Sequence, residues 1–176
     1  AREGIKKEGK AVIVEGDFDV ISAHKNGITN IVAVKGTALT QNQIKLLKRF
    51  TGKFALCFDT DPAGTEAQRK SIREIEKEGI TITVVVPPSG KDPDELLNEN
   101  PLLFKKALRN DTNVYDYIID TAVSEFDKGS AEGKKNILES FVGIVSTKHK
   151  YATINDIKVS KTEIAKNEFS DFNVTF

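Results

Sequence analysis

The chain has 176 residues, 39% hydrophobic and 30% charged, which excludes a disordered chain and suits one domain of ordinary size or one with a small helical appendage. Lysine plus arginine and aspartate plus glutamate both number 26, so the net charge is zero, which excludes a protein that holds nucleic acid by overall basicity alone. No apolar run is long enough to span a bilayer, the first residues lack the apolar core of a secretory signal, and Cys57 is the only cysteine, so an internal disulfide is excluded and a reducing cytoplasm fits. Methionine is absent even at position 1, and the chain therefore reads as an excised piece of a longer protein.

In chain order, Ala11-Val12-Ile13-Val14 is predicted to be a buried strand, ended by Glu15-Gly16 and followed by a short helix through Val20, Ile21 and Ala23 that stops at Asn26-Gly27. Ile31 to Val34 is a second strand, Gly36-Thr37 a turn, and Thr40 the cap of a helix running to Phe50. That helix shows an apolar stripe of Ile44, Leu46 and Leu47. The basic residues Lys45, Lys48, Arg49 and Lys53, and later Arg69, Lys70 and Arg73, read as solvated helix faces rather than a nucleic-acid patch. Phe54 to Phe58 is a third strand, a helix from about Ala63 to Glu78 ends at Gly79, and Thr81 to Val86 is a fourth strand closed by Pro87-Pro88-Ser89-Gly90. Beyond Asn113, the spacing of Val114, Ile118, Ile119, Ala122 and Val123, and of Ile137, Leu138, Phe141, Val142 and Val145, predicts helices. Continuously apolar strands alternating with helices imply an α/β fold with a parallel sheet of about four strands covered on both faces, followed by a small α-helical bundle. The domain division expected is 1–110 and 111–176.

Right-handed crossovers bring the four strand ends to one edge. Glu15 follows the first strand, Asp59 and Asp61 follow the third, and Asp92 and Asp94 follow the fourth. Each is compatible with a helix-start acid, Asp92 especially, since it precedes Pro93. Together, five acids from three segments at one edge repel one another unless a cation neutralises them. Oxygen donors without histidine or cysteine suit Mg²⁺ or Mn²⁺, and the chemistry that most often needs such a site is phosphoryl transfer. Lys35 and Lys91 stand where they could hold phosphates.

Several segments carry a resemblance: Val14-Glu15-Gly16-Asp17-Phe18-Asp19-Val20, Asn26-Gly27-Ile28, Gly36-Thr37-Ala38-Leu39-Thr40, Gln43 to Leu47, Cys57-Phe58-Asp59-Thr60-Asp61-Pro62-Ala63-Gly64 and Gly90-Lys91-Asp92-Pro93-Asp94-Glu95. Over roughly residues 5 to 100 the chain resembles the Toprim domain and, within that superfamily, the bacterial DnaG-type DNA primases. The resemblance implies a template-dependent polymerase making short RNA primers from NTPs on single-stranded DNA, by way of an RNA–DNA hybrid. It implies Glu15, Asp59 and Asp61 as metal-binding acids, with Asp19, Asp92 and Asp94 as further acids of the site. Gly16 would allow a sharp turn, and Gly36 and Thr37 would lie near the same edge. Mg²⁺ is the implied ion, with Mn²⁺ able to substitute and no zinc in this portion. Residues from about Asn113 match the helical bundle completing the primase core, and a replicative helicase would be met through a part not present here. A cytoplasmic monomer without membrane contact is implied. Asp17 stands where the family usually has tyrosine, and the pattern fades after Lys148. Three alternatives stay open: a metal-binding Toprim module without catalysis, a haloacid-dehalogenase-like phosphatase, whose Asp-x-Asp belongs on its first strand, and a receiver-like signalling domain, which would need a single phosphorylated Asp and no Glu15 partner.

Overall fold

The computed structural model describes residues 1–145 except 36, 37, 60 and 89–91. Gly36, Thr37, Thr60 and Lys91, like residues 146–176, therefore lie outside the described residues.

The chain opens with α1 (Arg2–Glu8), whose one fully buried side chain, Ile5, anchors it and whose end at Gly9 takes the left-handed conformation that glycine adopts without strain. Then come β1 (Ala11–Val14), α2 (Asp17–Lys25), β2 (Ile31–Ala33), α3 (Gln41–Lys48), β3 (Lys53–Leu56), α4 (Pro62–Glu76) and β4 (Thr81–Val84). α5 (Pro93–Glu99), α6 (Pro101–Arg109), a two-residue β5 (Thr112–Asn113), α7 (Val114–Glu125) and α8 (Ala131–Val145) complete the described chain.

The sheet order is β2-β1-β3-β4-β5, with β1 to β4 parallel and β5 antiparallel to β4. The four expected strands are present, and β5 is an addition too short to leave any pattern in the sequence. The ladders stop a residue or two before the apolar runs do. Val34, Cys57 and Val85 still donate to Val14, Ile13 and Leu56 carbonyls at 3.0, 2.8 and 2.8 Å, carrying each chain past its strand before the polar residues begin.

Alternation along the strands explains why both faces are covered. Ile13, Phe54 and Leu56 point into one core with Ile44 and Leu47 of α3 and Ile72 and Ile75 of α4. Val12, Val14, Ala55 and Cys57 point into the other, with Ala23 of α2, Leu96 and Leu97 of α5 and Phe104 of α6. Phe54 and Phe104 are fully buried, each contributing about 1.5–3 kcal/mol of transfer free energy. The α3 stripe is narrower than the sequence suggested. Ile44 and Leu47 are buried while Leu46 is 52% exposed, because one turn of helix can aim only the first two at the sheet. Lys48 donates to the Glu78 carbonyl at 2.7 Å and carboxylate at 3.1 Å, so it serves the end of α4's turn rather than an outside partner.

β5 and α7 pack onto the sheet, with Val114 and Ile118 in the first core. Asp111, just before β5, accepts from Lys10 at 3.0 Å and from the Thr83 hydroxyl at 2.6 Å, tying this junction to β4 and the start of β1. The sheet unit thus extends past residue 110 to take in β5 and the packed face of α7.

Candidate metal centre

With β1 lying between β2 and β3, the chain moves to one side of β1 for β2 and returns to the other side for β3. The carboxyl ends of β1 and β3 therefore flank a topological switch point, where open α/β sheets leave a crevice for ligands. Glu15 leaves β1 on one side of it, and Asp59 and Asp61 leave the β3 segment on the other.

Local hydrogen bonds fix these acids. The half-buried Glu15 accepts from the Asp59 N–H at 3.0 Å through Oε1, binding the two strand ends together. Asp61 is the N-cap of α4 and accepts from the Gly64 N–H at 2.6 Å through Oδ1. Gly64 is where all three segments meet: a Cβ there would lie 2.4 Å from the Asp59 carbonyl oxygen and 2.5 Å from Glu15 Oε1, so only glycine fits. Asp92 is the N-cap of α5, accepting from Glu95 N–H at 2.6 Å through Oδ1.

Asp19 plays a different part. It sits on the first turn of α2, 8% exposed, with Oδ2 accepting from Gly16 N–H at 3.0 Å and Oδ1 from Asp94 N–H at 3.1 Å. Asp94 in turn accepts from the Ser22 hydroxyl. Asp19, Ser22 and Asp94 thus bolt the β1–α2 turn to the start of α5. Ser22 was not among the sequence-based candidates, although its spacing of three from Asp19 puts both on one helix face.

The electrostatics are those of crowded carboxylates. Burial raises the Glu15 pKa above its ordinary value, and the charges of Asp59 and Asp61 add to that, against the opposing Asp59 N–H bond. Burial likewise raises Asp59, with Asp92 and Asp61 adding to it. Asp19 is raised to about 6 by burial and by the charges of Asp59 and Asp92, despite its two N–H partners. Glu15, Asp59, Asp61 and Asp92 have no lysine or arginine partner among the described residues. Lys35, held at φ 60°, pairs with Asp17 at 3.0 Å, both side chains being largely exposed. The unusual acid at position 17 thus occupies the lysine expected to hold phosphate. Such an exposed pair contributes at most about 1 kcal/mol, so a multiply charged anion would compete with it.

Among the described residues no group of three acids, histidines or cysteines is close enough to hold a metal as the side chains stand. The reason is visible in the caps: Glu15, Asp61 and Asp92 each turn one oxygen to a backbone N–H. Their second oxygens, and both oxygens of Asp59, have no partner among the described residues, so an all-oxygen donor set remains available. The donors fit a hard divalent ion. Asp19, with both oxygens taken, fits a brace better than a ligand.

One consequence is measurable without metal. Because the folded-state pKa of Asp19 lies above its ordinary 3.8, its contribution to stability is fully present below that value and is lost as pH rises toward about 6. Glu15 and Asp59 are shifted the same way and add to the effect. Urea unfolding in chelator should show stability falling by on the order of 2 kcal/mol between about pH 4 and pH 7. The Asp19→Asn variant should show a shallower fall, and an equal slope in the two proteins would contradict the assignment.

The fold and these residues define an open α/β domain with an acid-lined switch point. The chain belongs to the Toprim-like family, which matches residues 12–97. It is 37% identical over 133 residues to the DNA primase of Aquifex aeolicus, covering 75% of this chain and 27% of that protein. With the DNA primase of Thermotoga maritima it is 31% identical over 180 residues, covering 98% of this chain and 32% of the relative. Among solved structures, that of the zinc-binding and RNA polymerase domains of the Aquifex aeolicus primase superposes with a TM-score of 0.71 at 33% identity, over 86% of this chain and 36% of that one. The RNA polymerase domain of Mycobacterium tuberculosis primase DnaG, in complex with a double-stranded DNA oligomer with a 6-nucleotide overhang, superposes with a TM-score of 0.64 at 30% identity, over 84% of this chain and 48% of that one. The chain thus spans about a third or less of the length of these curated relatives. Among the described residues no helix is long and apolar enough to cross a membrane.

Proposed function

We propose that this chain supplies the metal-binding part of a DNA primase active site, in an enzyme that makes short RNA primers from NTPs on single-stranded DNA. The observation that carries the reading is the meeting of Glu15, Asp59 and Asp61 across the β1/β3 switch point, mutually repelling and without a cationic partner among the described residues. Glu15, Asp59 and Asp61 are the proposed ligands, with Asp92 and Asp94 as further ones from the segment that opens α5.

A divalent ion, Mg²⁺ by preference, would there neutralise phosphate charge and organise the reacting oxygens. The chain's own residues do the rest. Gly64 holds α4 close enough for Asp61 to stand beside Glu15, and Asp19 holds the Asp92–Asp94 segment against the β1–α2 turn. Lys35 exchanges Asp17 for a phosphate, and the same role is proposed for Gly36, Thr37 and Lys91, which lie outside the described residues. The division into a metal-binding unit, 1–110, and a helical part, 111–176, belongs to this reading, with α8 in its support, although β5 and α7 pack back onto the sheet of the first unit. Contact with a replicative helicase, a monomeric state and a cytoplasmic location are part of it too.

The phosphatase alternative loses support because Asp59 and Asp61 follow β3, not the first strand. A primer-synthesis assay on the complete protein tests the proposal: RNA should form on single-stranded DNA with Mg²⁺ and cease on chelation. Hydrolysis of a simple phosphate ester by this chain, with no RNA formed by the complete protein, would contradict it.

A further inference from the structure

A hollow of about 170 Å³ opens beside Asp59, between the first turns of α4, the exit of β4 and α7. Its apolar lining is Phe58 just past β3, Val84 at the end of β4, Val85, Val86 and Pro87 beyond it, and Tyr117 from α7. Thr65 and Thr121 add hydroxyl groups, and at its rim Glu125 pairs with Arg69 at 3.4 Å. Gln68 lines the hollow from α4. It is 5% exposed, yet its amide has no hydrogen-bond partner among the described residues. No enclosed side-chain nitrogen or oxygen among the described residues lacks a partner, so the polar atoms of Gln68 are those that reach the open space of the hollow.

A primary amide carries donor and acceptor side by side, and where it opens onto the hollow it offers both to a complementary ligand edge. The volume is below the roughly 300 Å³ at the lower end of pockets for drug-sized ligands and suits a single ring system. Flat apolar faces, an aromatic side chain and one amide-type polar edge are the recognition chemistry of a nucleobase. We propose that this hollow is a nucleobase pocket, with Gln68 reading the base edge and Tyr117 lying against its face. Asp59 belongs to both the hollow and the acid edge, so a base seated here brings the phosphates of its own nucleotide toward the carboxylates. The identity of that nucleotide as an incoming NTP rests on the primase reading; the pocket itself does not.

The test is NMR of the 176-residue chain titrated with guanosine in chelator, so that the metal site takes no part. Shifts should concentrate on the Gln68 side-chain amide and on Tyr117 and Thr121. Gln68→Leu should weaken guanosine binding about tenfold or more without lowering the melting temperature, since it removes an unpaired amide. Thr121→Val, beside it, should keep the fold and weaken binding less. Inorganic triphosphate with Mn²⁺ forms a separate arm that reports on the acid edge alone. GTP with Mn²⁺ binding more tightly than both guanosine and triphosphate assigns the base to an incoming nucleotide, and displacement of guanosine by a short single-stranded DNA without triphosphate assigns it to a strand. Guanosine shifts absent from the pocket, or unchanged in Gln68→Leu, overturn the proposal whatever the triphosphate arm shows.

Discussion

Asp59→Asn, or Glu15→Gln, in the complete protein is expected, on the proposed function, to lower primer synthesis at least about a hundredfold while the metal-free protein melts no lower than wild type. Both changes keep shape and remove an anionic oxygen. Glutamine still presents an oxygen to the Asp59 N–H, so the strand ends stay joined. Asparagine at position 59 removes a carboxyl that burial, and after it repulsion from Asp92 and Asp61, holds above the usual range. Activity and stability should therefore separate. Near wild-type primer yield from either variant would remove that residue from the site, and a lowered melting temperature would assign it a structural role instead.

Gly64→Ala should place a damaging methyl directly between the acids of the edge. On helix propensity alone, alanine inside α4 would stabilise by about 1 kcal/mol. The added carbon would instead meet the Asp59 carbonyl and Glu15 Oε1 at 2.4 and 2.5 Å, and one of them is backbone that cannot swing away. Relief requires the β3–α4 turn to move off β1, at a cost of about 1–3 kcal/mol, and with it the spacing of Glu15 and Asp61. Mn²⁺ affinity should fall about 10–100-fold, measured by calorimetry beside thermal melts. A variant more stable than wild type with unchanged affinity would show the close approach to be unnecessary.

The architecture was legible because strands β1 to β4 are continuously apolar and each helix between them carries a cap or a stop, such as Thr40 with its reciprocal Gln43 bonds. α1 escaped because a seven-residue helix with one large buried side chain leaves no periodicity, and β5 because two residues cannot alternate. The acids at the edge followed from topology, which converts chain order into position. What each acid does locally did not, because capping and ligation call for the same residue at the same place. Asp61 and Asp92 are helix caps as well as proposed ligands, and only the second oxygen separates the two roles. Asp19 read in sequence as one more acid of the site; its two backbone partners come from segments far apart in the chain, which no local pattern encodes.

The central claim is that this edge binds a divalent ion through Asp59 and its neighbours, and paired melting curves with and without millimolar Mn²⁺ test it most directly. Asp61→Asn is the variant to use, because asparagine caps a helix about as well as aspartate and so isolates the charge. Wild type should gain about 1.4 kcal/mol at ten times the dissociation constant, while Asp61→Asn should match or exceed wild type without metal and lose most of that gain. Contradiction would be a wild-type melting temperature indifferent to Mn²⁺, or a variant that is less stable without metal and responds to it in full.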